Sequence, residues 1–259
     1  MTRRALPLAL VLMLAGGTAV HAADVRLSYE LNVGGMTAAT AELRFIPDGQ
    51  GDSGYHLISD LRTVGLAAVV VPFTSRAESL GQQVGTQIIP QQYQSDNLWR
   101  GVPRLVQLAY QPDSPPARVT VPTPAEEGRA PVSDDDASTS LDPLAATFAL
   151  LHDQAAHPVS SQLVFDGRRL YRLGLKDCTA RRIDLPVYKG DGWGCQITYR
   201  RLGGRADEAM FQLQGDEQQA SLLLAPVGTF GSPVAVPLRV EVDTLNFGGL
   251  VVLLTSGAS

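Results

Sequence analysis

The sequence predicts a mainly β protein: a strongly curved antiparallel sheet, a β-spiral or incomplete barrel, carrying one or two short helices. Three observations predict it. Apolar side chains recur at every second position in many short runs, the period of a half-buried strand. Those runs are separated by Gly, Pro and Asp, the residues of tight turns, and the chain holds 25 Gly and 17 Pro. About a dozen such runs at short intervals exceed what a flat sheet accommodates, so the sheet has to curl.

Residues 1–22 stand apart from this pattern. Arg3 and Arg4 precede an apolar run over 5–20, and Val20 and Ala22 set branched and small residues at a cleavage point after Ala22. This is the layout of a cleavable signal peptide. An uncleaved anchor is the alternative, but the run is short for a hydrocarbon layer of about 30 Å. Residues 23–259 then form a single β-rich domain in an exported chain, most simply periplasmic. A formal charge of −5 and 44% hydrophobic residues do not suit a nucleic-acid binder. No stretch beyond the leader is long enough to make an integral membrane protein.

Residues 25–33 alternate Val25, Leu27, Tyr29, Leu31 and Val33 against polar neighbours, a half-buried strand that ends at Gly34-Gly35. Ala41, Leu43 and Phe45 form a second strand, 47–54 a turn, and 55–62 a third strand. Residues 64–73, VGLAAVVVPF, are apolar on every side. They predict a short buried helix or a buried strand plugging one end of the sheet. Strand spacing returns at 75–80, 87–94 and 104–110. Residues 112–140 are rich in Pro and Asp and predict an exposed loop around one short strand at 118–121, because proline lacks a ladder donor. The Asp134-Asp135-Asp136 run lacks the alternation and glycine of a calcium loop.

One helix is expected next. Asp142 caps it, Pro143 fits its first position, and Leu144, Phe148 and Leu151 share the face that packs on the sheet. His152 and His157 flank its end as lone histidines, with no metal expected. Asp166-Gly167 between apolar runs predicts a two-residue type I′ hairpin loop. A second turn is predicted at Lys189, Gly190, Asp191 and Gly192. Strands follow at 210–213, 221–225, 234–243 and 248–254.

The two cysteines, Cys178 and Cys195, fall on predicted neighbouring strands. An exported chain favours a disulfide between them, and closing that loop contributes about 3 kcal/mol in the chain-entropy model. No histidine lies between 164 and 204, and two thiolates alone do not fill a tetrahedral metal site.

Residues 168–205 carry ten of the 21 cationic side chains against Asp177, Asp184 and Asp191. The plain reading is the solvent side of strands, paired with carboxylates from elsewhere. The sharper one is a face for an anionic envelope component such as a lipid headgroup, formed by Arg168, Arg169, Arg172, Arg200 and Arg201. No Gly-x-Ser-x-Gly elbow, His-Glu-x-x-His, Walker loop or Ser-x-x-Lys pair occurs. No catalytic residue and no cofactor is therefore expected, and the chain reads as a non-enzyme.

Several short motifs in order resemble the bacterial exported-protein family catalogued as domain of unknown function 3108. They are Tyr29-Glu30 with Gly34-Gly35, Ile89-Pro90 with Tyr93, Asp142-Pro143-Leu144, Phe165-Asp166-Gly167-Arg168-Arg169, Gly194-Cys195, and Pro237-Leu238-Arg239. The family is similar to periplasmic β-spiral proteins of envelope integrity, whose curved sheets resemble lipoprotein carriers. The resemblance implies a concave apolar surface and a binding role, and no established activity. The expected function is support of the cell envelope by holding a lipophilic ligand or lipoprotein in a concave groove. Its candidate lining is Leu66, Val70, Phe73, Leu144, Phe148 and Leu151. The alternatives are a scaffold that binds another envelope protein, and a hydrolase whose site assembles only in the fold.

Overall fold

The computed structural model describes residues 24–47, 54–112, 114–152, 160–204, 217–242 and 249–258. The signal-peptide region, the strand expected at 210–213 and His157 lie outside them. The first arm of the sheet contains β1 (Val25–Val33), β2 (Met36–Pro47), β3 (Gly54–Thr63), β4 (Phe73–Val84), β5 (Gln87–Trp99), β6 (Val102–Gln111) and β7 (Ser114–Val121). The second contains β8 (Ser160–Phe165), β9 (Leu170–Leu185), β10 (Tyr188–Gly203), β11 (Glu217–Ala225), β12 (Val236–Val242) and β13 (Leu250–Ala258). Helices are few: α1 (Gly65–Val70), α2 (Asp134–Ala137) and α3 (Pro143–His152), with single 3₁₀ turns at Ala125–Glu127 and Thr229–Gly231.

Among the described residues, 13 strands form one antiparallel sheet in the order β7-β6-β5-β4-β3-β2-β1-β13-β12-β11-β10-β9-β8. Each arm is a meander, and the two join where β1 pairs with β13, Tyr29 standing opposite Leu254. The edges are β7 and β8. They do not pair with each other, yet the sheet curls until their neighbourhoods meet. Ala77, Tyr93, Val106 and Leu108 of the first arm pack with Phe165 and Leu170 of the second. The result is a barrel-like roll with a seam where the edge strands do not pair with each other. The outer edge of β8 bonds to Leu141, whose N–H donates to Leu163 O and whose carbonyl accepts from Phe165 N–H, both at 2.9 Å.

The hollow of the roll is filled by α3. Ala145, Ala146, Phe148, Ala149, Leu150 and Leu151 are all buried, so the helix is enclosed around its circumference. Phe148 lies against Phe45 and Tyr55, with ring centroids 5.6 and 5.4 Å apart. Leu150 and Leu151 pack with Leu175, Leu222 and Leu224 of the opposite arm. The expected helix packed on the sheet through one face is thus a central plug. Its three alanines are the reason, because small side chains let strands approach every side.

Four other expectations are corrected. Residues 64–73 contain a helix, α1, but none of its residues is buried. The ladder in 112–140 begins at Ser114, so Pro115 and Pro116 sit within β7. An edge strand tolerates them because its outward N–H groups need no partner. The loop at Asp166 spans four residues. Asp166 accepts N–H bonds from Arg168 and Arg169 at 2.9 and 2.6 Å, and Gly167 alone takes positive φ, +86°. The turn between β9 and β10 is Pro186-Val187, between the paired Leu185 and Tyr188, and Gly190 and Gly192 lie inside β10. A side chain at 192 would occupy the Leu224 carbonyl and Ile183, so that glycine marks close approach rather than a turn.

Candidate functional site

Three places carry unusual chemistry: the seam, the interior beside α3, and one end of the sheet.

At the seam, the Asp166–Arg169 loop aims Arg168 into the gap between the edges. Arg168 is 9% exposed. Its Nε donates to Glu127 at 2.9 Å, and Nη2 donates to the carbonyls of Val121 and Pro122 at 3.0 Å and of Leu105 at 3.3 Å. Glu127, only 6% exposed at its side chain, also takes Arg129 at 3.2 Å. Arg104 lies 3.3 Å from its other oxygen, off the line of a hydrogen bond. Gly167 packs so tightly on Val106 that a Cβ would strike it. From the other side, the Arg118 guanidinium of β7 sits 5.5 Å from the Phe165 ring centroid of β8. Charge and backbone thus clasp the two edges that no ladder joins.

Arg168 therefore cannot serve on an open anionic-ligand face, because its donors are consumed in the seam. The other four arginines of that face scatter. Arg172 and Arg200 stand opposite each other across the β9–β10 ladder and are exposed. Arg201 lies opposite Tyr171, on the face where the Tyr171 and Tyr199 rings approach to 5.0 Å, and is half-buried. Arg169 lies 4.0 Å from Asp166. Above the Cys178–Cys195 disulfide is an open groove of about 600 Å³ lined by Asp177, Arg181, Arg239 and Glu241 among others. Arg239 and Glu241 pair with each other, so the groove has mixed charge.

Inside, Asp142 caps α3 and is fully buried. One oxygen accepts from the N–H groups of Leu144 and Ala145, both at 2.9 Å, and the other accepts from Ser79 Oγ at 2.9 Å. Burial pushes its carboxyl up to about 6, against the hydrogen bonds that pull it down. Burial likewise raises the phenols of Tyr55, Tyr93 and Tyr110, so they stay neutral. The space left beside α3 is a cavity of about 50 Å³ whose walls include Leu43, Phe45, Leu57, Leu144, Phe148 and Leu151. Leu66, Val70 and Phe73 do not line it. The six residues expected to form one groove are split, three around a plug and three at the tip described next.

At the end of the sheet where β1 meets β2, β3 meets β4 and β5 meets β6, α1 is exposed. Leu66, Val69 and Val70 are 73%, 80% and 71% exposed, and Met36 at the start of β2 is 64% exposed. The helix is held firmly all the same. Val64 N–H donates to Ala38 O at 2.9 Å, and Arg100 N–H to Pro72 O at 2.9 Å. Thr63 Oγ1 accepts from Phe73 N–H at 3.0 Å and donates to Val71 O at 3.1 Å.

Two histidines bear on catalysis. His56 Nε2 lies 3.7 Å from Glu78 on partly exposed strands, and that nitrogen has no hydrogen-bond partner among the described residues. His152 contacts Gln83 at 3.0 Å and packs on Phe148. No cluster of metal-ligating side chains occurs among the described residues. No helix among them is long and apolar enough to cross a membrane. The disulfide itself is the chemistry of an exported chain.

A family model described as a protein of unknown function, DUF3108, matches residues 28–255. The chain belongs to that family. A DUF3108 chain of this fold is similar to a beta-barrel-like protein of another domain of unknown function, DUF1849, from Brucella abortus. Identity is 9% and the TM-score 0.50, covering 92% of this chain and 98% of that one. A protein from Parabacteroides distasonis provisionally named a lipoprotein is also similar, at 9% identity and TM-score 0.38, covering 92% and 96%. No curated protein matches the chain. The run Phe165-Asp166-Gly167-Arg168-Arg169, inside the matched residues, coincides with the seam clasp. The sequence signal for it was the Asp-Gly pair, but the partners Glu127, Leu105 and Val121 lie about 40 to 60 positions away.

Proposed function

We propose that this protein is a non-catalytic periplasmic module that supports the cell envelope by docking through its surface. The observation that carries the reading is the division of apolar residues. α3 occupies the hollow that a carried ligand would need, whereas α1 presents its large apolar side chains outward. Pockets for lipophilic ligands run to about 300–1,000 Å³, against about 50 Å³ here. A solvent-exposed apolar patch on a folded chain marks an interaction surface. Ser79 bonds directly to Asp142, and both are closed to solvent, so this hydroxyl–carboxylate pair is not open to a substrate.

A second reading keeps the carrier. The cavity beside α3 is lined almost wholly by apolar side chains, and displacement of the helix would enlarge it. Native mass spectrometry of protein purified from its own periplasm separates the two. The docking reading expects the bare polypeptide mass. A stoichiometric lipid adduct that survives purification would overturn it in favour of the carrier.

A further inference from the structure

We propose that the tip formed by α1 with the β1–β2 and β5–β6 turns docks on the surface of an anionic lipid bilayer, Leu66, Val69 and Val70 entering the interface with Trp99 and Arg100 beside them. The inference rests on the surface-docking reading and names its partner.

The first argument is composition. The three segments that meet at the tip are residues 33–37, 64–73 and 98–102, and their one charged side chain is Arg100. Leu98 and Val102 are exposed there as well, at 43% and 52%. An arginine beside an anionic headgroup layer strengthens docking. The Arg100 guanidinium sits 5.9 Å from the centroid of the Trp99 ring, and that ring meets Phe73 edge-on at 5.6 Å. Tryptophan and arginine beside aliphatic side chains are the residues of a membrane–water interface.

The second argument is size. A standard protein interface takes about 20–30 residues a side. The tip offers few large apolar side chains on a projecting point, too few for such an interface. A shallow bilayer contact needs only an apolar face sunk about 5–10 Å into the headgroup boundary. A helix with its side chains is about 10–12 Å across, so the exposed half of α1 fits that depth.

The third argument is mounting. The backbone bonds from Val64 and Arg100, and the two made by Thr63, fix α1 against β2 and the β5–β6 turn. Its apolar side chains stay exposed in a well-anchored element, where they could have turned inward. A fixed tip loses little conformational freedom on docking.

The test uses the mature full-length chain and vesicles of phosphatidylglycerol with phosphatidylethanolamine, beside neutral phosphatidylcholine vesicles. The expected result is flotation with the anionic vesicles and weak flotation with neutral ones. Emission that shifts to the blue and is quenched by brominated lipid should be lost in Trp99→Phe. Val69→Glu/Val70→Glu should bind the anionic vesicles roughly tenfold more weakly or worse, and Val69→Ser/Val70→Ser should fall between. All these positions except Trp99 are exposed, so melting curves should match wild type. Equal binding by the glutamate variant, or no binding by wild type, overturns the proposal. A benzophenone side chain installed at position 69 in living cells separates the remaining outcomes. A discrete protein adduct overturns the bilayer but leaves surface docking standing, and neither vesicle binding nor a protein adduct removes both.

Discussion

Asp142 carries a charge that the interior resists. Its carboxyl gives up its proton near 3.8 in the unfolded chain and near 6 in the folded one. Between those values the folded state binds more protons than the unfolded state. Its contribution to stability is therefore greatest at low pH and falls as pH rises through about 6. Asn at this position keeps an oxygen for the N–H groups of Leu144 and Ala145 and removes the charge. Asp142→Asn should gain on wild type by up to about 3 kcal/mol between roughly pH 4 and 8, read from urea midpoints at each pH. A difference that stays constant over that range would contradict the buried, charged carboxylate. Gly167 makes the opposite case, a residue needed for what it lacks. Its φ is +86°, and a Cβ would collide with Val106. Gly167→Ala should cost about 2–4 kcal/mol, and Val106→Ala in the same chain should recover part of it. Full additivity in the double-mutant cycle would mean the two positions do not touch. Legibility divides along the same line. The cap at Asp142 and the need for glycine at 167 follow from local rules, so both showed in the sequence. The depth of Asp142 and the contact with Val106 depend on strands far away in the chain.

At the scale of single elements, strands were legible wherever one face is wet. Residues 25–33 alternate because β1 is half-buried, and their pattern alone gives the element. Alternation faded where glycine replaced a side chain, so Gly190 and Gly192 read as a turn although both lie in β10. α1 misled for a different reason. An all-apolar run normally means burial, and none of the residues of α1 is buried. The disulfide was legible from compartment and spacing, and the structure adds its local cause. Asp177 takes φ +54°, and Asp177 and Cys178 together stand opposite Cys195, a bulge that turns the Cys178 side chain toward its partner. The bridge spans 17 positions on one hairpin. Cys178→Ala/Cys195→Ala should lower stability by about 3 kcal/mol and leave the circular dichroism of the native sheet unchanged. A loss much below 1 kcal/mol would show that the hairpin stays ordered in the unfolded chain, since the crosslink acts mainly there.

Over the whole molecule, the chain closes on itself twice, by different means. The first closure is a ladder, β1 on β13, which joins strands from opposite ends of the sequence. The second is the seam, where Arg118 of β7 lies over Phe165 of β8 and the β4–β6 core packs on Phe165 and Leu170. An open edge invites another chain to pair with it. Leu141 bonds to the β8 edge, and Arg168 fastens that side of the seam to the first arm. Its fork reaches three carbonyls of the first arm from a loop of the second. Arg168→Met removes those bonds and leaves Glu127 short of one of its cations in a nearly closed site. Breaking one partner of a buried ion pair costs about 3–5 kcal/mol. Arg168→Lys should rescue little of it, because an ammonium on a flexible stem cannot reproduce the planar fork. The loss should also be localised. Amide exchange should quicken first in β7 and β8, while the β1–β13 ladder keeps its protection. If Arg168→Met instead loosened every strand together, the roll would be one cooperative unit with no seam to unfasten. If it loosened none, Phe165 and Val106 would hold the edges without the arginine.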